Sequence, residues 1–190
     1  VCGLAAEDAG QVFRFKLNMD EVLIVDKYQD IRVFRNRARE SREEKNRIVL
    51  KVVEREPGVA VMEGVFHTYS RSPRQTGQFR RDREFQSRFK IRDSGHYEVS
   101  DRFIMPNLRG LPTFPEQALK PGAAWRMAAM ETMDFGALKV KIPLDVQYQY
   151  TGTAPLMMPD GRRVELERIT YTYAFNAPVG EGGIRQISGV

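Results

Sequence analysis

Histidine and cysteine are few in this sequence, and their spacing suits neither catalysis nor metal binding. The two histidines, His67 and His96, form neither an H-x₃-H nor an H-E-x-x-H pair. Cys2 is the single cysteine, which excludes a disulfide within the chain and a metal site built from several cysteines. The sequence contains no nucleophile elbow, phosphate-binding loop or dinucleotide-binding glycine motif. We therefore predict a protein that is not an enzyme, with no cofactor and no bound metal.

One enzymatic alternative stays open at this point. Glycoside hydrolases work with two carboxylates that flank the bond they cleave. The 25 acidic residues of this chain leave room for such a pair, and no motif indicates which two would meet.

Arginine supplies most of the positive charge, with 22 Arg against 8 Lys and a net charge of +5 at pH 7. This surplus is typical either of solvated strand faces or of a surface for an anionic partner. In the segment from Phe79 to Arg92, the phenylalanines lie on one parity, and the other parity carries Arg80, Arg88, Lys90 and Arg92. Nucleic-acid binding by base stacking needs both on the same face, so we predict no nucleic-acid partner.

A cluster of methionines follows the only tryptophan, and it has two interpretations. Methionine adapts its shape to irregular apolar surroundings, so these residues are either ordinary core or the wall of a ligand pocket. The candidate ligand or partner surface combines them with the outward arginines and consists of Trp125, Met127, Met130, Met133, Arg80, Arg88 and Arg92.

Alternation with a period of two residues dominates the chain and predicts β-strands. Between positions 138 and 150 the even residues are apolar or aromatic and the odd ones are mostly polar. This segment should bury one face and expose the other. The sequence Pro159-Asp160-Gly161 predicts a tight turn, and a change of phase near Glu167-Arg168 predicts a β-bulge. We expect Phe79, Phe85 and Phe89 in a core.

The amino-terminal third contains a short, fully apolar run, Val22–Val25, and then a segment rich in Arg and Glu. Like charges four residues apart, as in Glu40 and Glu44, disfavour a helix there. We predict a long, exposed hairpin whose tip lies near Arg39–Asn46.

These elements predict an all-β fold with a mainly antiparallel sheet of roughly nine to eleven strands, as a β-sandwich or a curved, partly closed barrel. Residues 11–190 should form a single β domain with an exit to a further domain near 176–190. Residues 1–10 should be a signal-peptide remnant or a disordered N-terminus, with a lipidated Cys2 as an open alternative. No apolar run reaches the ~18 residues of a membrane-spanning helix.

Several short motifs also occur in a fixed order. They are Asp101-Arg102-Phe103-Ile104-Met105-Pro106, Leu111-Pro112-Thr113-Phe114-Pro115, Leu119-Lys120-Pro121-Gly122 with Trp125, an acidic segment from Glu131 to Phe135, and Ile142-Pro143 with Tyr148, Tyr150 and Gly152. This order resembles the N-terminal β-rich region of spirochaetal OmpA-family cell-envelope proteins. The resemblance implies an exported module of the periplasm or outer membrane. The C-terminal OmpA-like domain of that family is absent from this chain, so no functional residue is carried over.

We accordingly expect a non-catalytic cell-envelope module that acts as an adaptor, spacer or binding domain between outer membrane and cell wall. Its partner would be an envelope protein, a lipid or a cell-wall component. The alternative is a carrier that holds an apolar ligand in the cavity of a curved β-sheet. A deep apolar cavity would favour the carrier, and a filled core with an exposed patch would favour the adaptor.

Overall fold

Alternating apolar and polar residues produce an all-β protein. The computed structural model describes residues 10–35, 38–72, 77–134, 139–178 and 186–189. These residues contain ten strands and no helix, and all of their strand pairings are antiparallel. The predicted all-β, mainly antiparallel fold is therefore confirmed.

The strands form two five-stranded sheets in which each strand pairs with its neighbours in sequence, as in a meander. The first sheet contains β1 (Val22–Arg35), β2 (Ala38–Glu56), β3 (Val59–Arg71), β4 (Arg80–Arg92) and β5 (Tyr97–Val99). The second contains β6 (Leu108–Arg109), β7 (Ala124–Asp134), β8 (Lys139–Met157), β9 (Arg163–Pro178) and β10 (Gln186–Gly189). One of the two sheets curls into a half-barrel.

The two sheets belong to two compact units. The amino-terminal unit comprises Lys16–Asp93 and Tyr97–Asn107, and the remaining described residues form the carboxy-terminal unit. The single domain that the sequence predicts over residues 11–190 remains a prediction. The predicted signal-peptide remnant lies outside the described residues except for Gly10, and the predicted exit near 176–190 is described only for 176–178 and β10.

Strand β8 follows the two-residue alternation most closely. From position 142 to position 150 its even side chains are buried and its odd side chains are exposed. Pro143 lies opposite Met130 of β7, before the pairing with β9 begins at Asp145. Proline donates no backbone hydrogen bond. This part of β8 pairs on one side only, so it can accommodate a residue that lacks a backbone N–H group.

The hydrophobic pattern changes face in the distal half of the β8–β9 hairpin. The irregularity lies in β8, where Tyr150 and Gly152 pair with the consecutive residues Ile169 and Arg168. The bulge is therefore in β8, whereas the change of phase in the sequence lies in β9. β9 itself keeps its alternation, so Leu166 points to the face opposite Ile169.

The hairpin of β1 and β2 exists as predicted, but its tip lies earlier than near Arg39–Asn46, because Arg35 pairs directly with Ala38. The register explains the difference: Val25 lies opposite Ile48, which matches the apolar residues of the two strands.

The predicted core phenylalanines are buried to different degrees. Phe89 is buried, whereas Phe85 and Phe79 are half-buried. Phe79 precedes β4, and the guanidinium carbon of Arg71 lies 4.5 Å from the centre of its ring. Its position outside the paired strand leaves this ring half-buried.

Candidate interaction surfaces

Trp125 is held as an anchor of the carboxy-terminal sheet. Its ring stacks on Tyr148 with 5.1 Å between centroids and an interplanar angle of 8°, and its Nε1 donates a hydrogen bond to the Thr113 carbonyl at 2.9 Å. The Tyr148 hydroxyl accepts from the Thr113 amide and donates to the Gly110 carbonyl, both at 3.3 Å. Burial is the main cause that raises the pKa of Tyr148 above its ordinary value of 10.0. The segment 110–113 therefore holds the polar ends of both side chains by hydrogen bonds.

The methionines predicted with Trp125 do not share one face. Residues directly opposite on paired strands point to the same side of a sheet. Met127 and Met133 lie opposite Val146 and Val140 and pack against the buried cluster around β8. Met130 lies opposite Pro143, on the other face. The structure thus brings Trp125, Met127 and Met133 together and separates Met130 from them.

The predicted arginines lie on the exposed parity of β4, in the amino-terminal unit. Arg88 donates to Glu63 Oε1 at 2.8 Å and also bonds Glu54. Arg92 bonds Glu98 at 2.8 Å through its Nε. Neighbouring carboxylates thus neutralise two of the three arginines, which weakens the case for an anionic ligand here.

The histidines are placed separately. His67 is half-buried, and its Nδ1 lies 3.0 Å from an Arg81 guanidinium nitrogen and 3.3 Å from Glu84 Oε2. His96 is exposed next to the turn that contains Gly95. The part of the chain that the structure describes holds no group of three or more His, Cys, Asp or Glu side chains suited to a metal ion.

A groove of about 450 Å³ crosses the centre of the β7–β8–β9 sheet. Its lining consists of three consecutive residues from each strand: Ala124, Trp125, Arg126, Gln147, Tyr148, Gln149, Thr170, Tyr171 and Thr172. Aromatic rings of the middle row and amide, hydroxyl and guanidinium groups of the outer rows both belong to this lining. The groove is open to solvent, and its surface is mixed, with more apolar than polar character.

Strand β1 carries a patch of exposed apolar side chains at the edge of its sheet. We call this the edge patch; it consists of Val22 (52% exposed), Ile24 (58%), Val25 (47%) and Tyr28 (63%). Among the residues that the structure describes, β1 pairs only with β2. Exposed apolar residues that lie together mark interaction sites more often than isolated ones do.

A second exposed apolar group lies at the distal end of the β8–β9 hairpin. Ala154 lies opposite Leu166, and Leu156 lies opposite Val164, so these four share one face; we call them the hairpin patch. Leu156 and Leu166 are 48% and 45% exposed. This face is the one opposite the buried side of β8, because of the bulge described above.

Neither patch was named as a site from the sequence. The apolar run Val22–Val25 was the available signal for the edge patch, but such a run does not show that its strand lies at an edge. The change of phase near Glu167 is the signal for the hairpin patch, but by itself it indicates only a bulge.

Comparison of the chain with protein-family models, with curated proteins and with solved structures found no match. Among the described residues, no helix has the length and hydropathy needed to cross a membrane.

Proposed function

We propose that this chain is a non-catalytic binding module of the cell envelope that acts as an adaptor between partners. The observation that carries the proposal is the edge patch, in which four apolar side chains about half exposed lie on one edge strand. The hairpin patch supports it further, because it gives the other compact unit an apolar surface of its own. A protein with one apolar surface on each unit is suited to hold two partners.

The chemistry near the edge patch favours a protein partner over an anionic lipid or glycan. On the outward face of the same sheet, Arg88 is paired with Glu63 and Glu54, and Arg71 is paired with Glu43. Paired surface charges attract a distant anion only weakly. Recognition would therefore come from apolar contacts and from backbone hydrogen bonds.

The carrier alternative has less support from the geometry. The even side chains of β8 from Ile142 to Tyr150 are buried, and Trp125, Met127 and Met133 pack against them. The groove that crosses this sheet is open to solvent and has a mixed lining. A filled apolar face and an open groove favour the adaptor over a carrier that encloses its ligand.

The envelope location rests on the resemblance to the OmpA-family N-terminal region. Its test is fractionation of cells that produce the native full-length protein. We expect the protein in the periplasmic or outer-membrane fraction, and recovery only in the cytoplasm would contradict the location.

Site-specific photocrosslinking in those cells tests the binding role. A photoreactive residue replaces Ile24 in the edge patch, Leu166 in the hairpin patch, or Gln147, which is exposed on a polar strand face. We expect crosslinked products of discrete mass from positions 24 and 166 and none from position 147. Equal products from all three positions, or none from any, would contradict the proposal.

A further inference from the structure

The four edge strands of the two sheets differ greatly in length. β5, β6 and β10 contain 3, 2 and 4 residues, whereas β1 contains 14. Natural proteins limit unwanted pairing by keeping edge strands short or by covering them, because an open edge offers unpaired N–H and C=O groups. β1 departs from this rule, and it is also the strand that carries the edge patch.

The side chains of β1 suit a neighbouring strand on its open side. Ile24 projects to one face of the sheet and Val25 to the other, and both are about half exposed. A segment that adds to this edge would cover these side chains on both faces, whereas a folded partner that docks on one face would leave half of them exposed.

From these observations we propose that β1 binds an extended segment of a protein partner as an added antiparallel strand. This inference rests on the proposed function and names the partner's chemistry. The segment has apolar side chains opposite Ile24 and Val25. β2 already pairs with β1 in this way, with Val49 and Ile48 opposite Ile24 and Val25.

The chain supplies its own probe for this site. A synthetic peptide with the β2 sequence Lys45–Lys51 carries the side chains that match β1 residues Val22–Tyr28. Binding of the fluorescently labelled peptide to the intact chain is measured by polarisation. We expect saturable binding to the native chain and its loss in Ile24→Lys, which places a charge on the open edge. Gln149→Lys, on an exposed position of β8, is the matched control and should bind normally.

Two N-methylated forms of the peptide separate strand addition from side-chain docking. One form is methylated at the alternate residues 46, 48 and 50, and the other at 47, 49 and 51. A strand uses only every second residue to hydrogen-bond one neighbour. One form should therefore bind like the parent peptide, and the other should bind more than about tenfold more weakly because it loses three backbone hydrogen bonds. Equal binding by both forms, or no binding by the parent peptide, would overturn strand addition.

Two outcomes distinguish this inference from the proposed function. If strand addition fails while crosslinks from position 24 persist, the edge patch binds through its side chains and the proposed function survives. If both fail, both proposals are wrong. Self-association in sedimentation that Ile24→Lys abolishes would identify a second copy of the chain as the occupant, and would overturn the assignment to a partner protein.

Discussion

The same substitution at two positions of β8 should have very different effects on stability. Leu144 is 2% exposed and belongs to the buried cluster of the carboxy-terminal sheet, whereas Leu156 is 48% exposed. Truncation of either leucine to alanine removes three carbon atoms. The two sites thus differ in burial while the chemical change is identical.

The expected magnitudes follow from that difference in burial. Three carbon groups at about 0.8 kcal/mol each give about 2.4 kcal/mol of lost transfer free energy at a fully buried site. The cavity that remains brings Leu144→Ala to about 3–4 kcal/mol, within the range for buried leucines. Leu156 is about half exposed, so its burial gains only about half of that transfer free energy, and its truncation leaves no closed cavity. Leu156→Ala should therefore cost about 1 kcal/mol.

Urea unfolding followed by the fluorescence of Trp125 measures both variants. Trp125 is the only tryptophan, and its stacking on Tyr148 makes it a reporter of the sheet that contains both leucines. The midpoint of unfolding should fall strongly in Leu144→Ala and slightly in Leu156→Ala at unchanged m-value. Equal losses in the two variants would refute the burial assigned to the two faces of β8.

Three further predictions concern single contacts. Trp125→Phe removes the hydrogen bond to the Thr113 carbonyl and should lower the free energy of unfolding by about 1–2 kcal/mol in urea unfolding followed by circular dichroism; no change would show that the bond contributes nothing. Burial raises the pKa of Tyr148 above 10.0, so above pH 10 the unfolded state loses this proton first and stability falls as the pH rises. Tyr148→Phe should reduce that alkaline loss, and an unaltered slope would contradict it. Arg88→Ala should cost less than about 1 kcal/mol, because its two glutamate pairs are exposed; a larger loss in thermal unfolding would indicate a cooperative network.

The two-residue rhythm sufficed to predict the class of fold and the buried residues of β8. Each even-numbered residue from Ile142 to Tyr150 is buried, as the sequence indicated. Alternation reports local geometry, so it is informative wherever one face of a strand packs and the other meets water.

Properties set by pairing between strands could not be obtained in the same way. The position of the β1–β2 tip depends on which residues of the two strands meet, and the Arg- and Glu-rich segment from Arg39 to Asn46 looked like a tip although it pairs with β1. Whether Val22–Val25 lies at the centre or the edge of a sheet depends on strand order, which the run itself does not encode. The face chosen by Leu166 depends on a bulge in the partner strand.

Residue-resolved amide hydrogen exchange along β1 tests the open edge most directly. In the isolated chain, amides of Val22–Tyr28 that bond β2 should exchange slowly, and the intervening amides should exchange rapidly, so that protection alternates along the strand. Binding of the β2 peptide should then protect the fast set. Uniform protection of these amides in the isolated chain would show that the outer side of β1 is already occupied, and it would contradict the account.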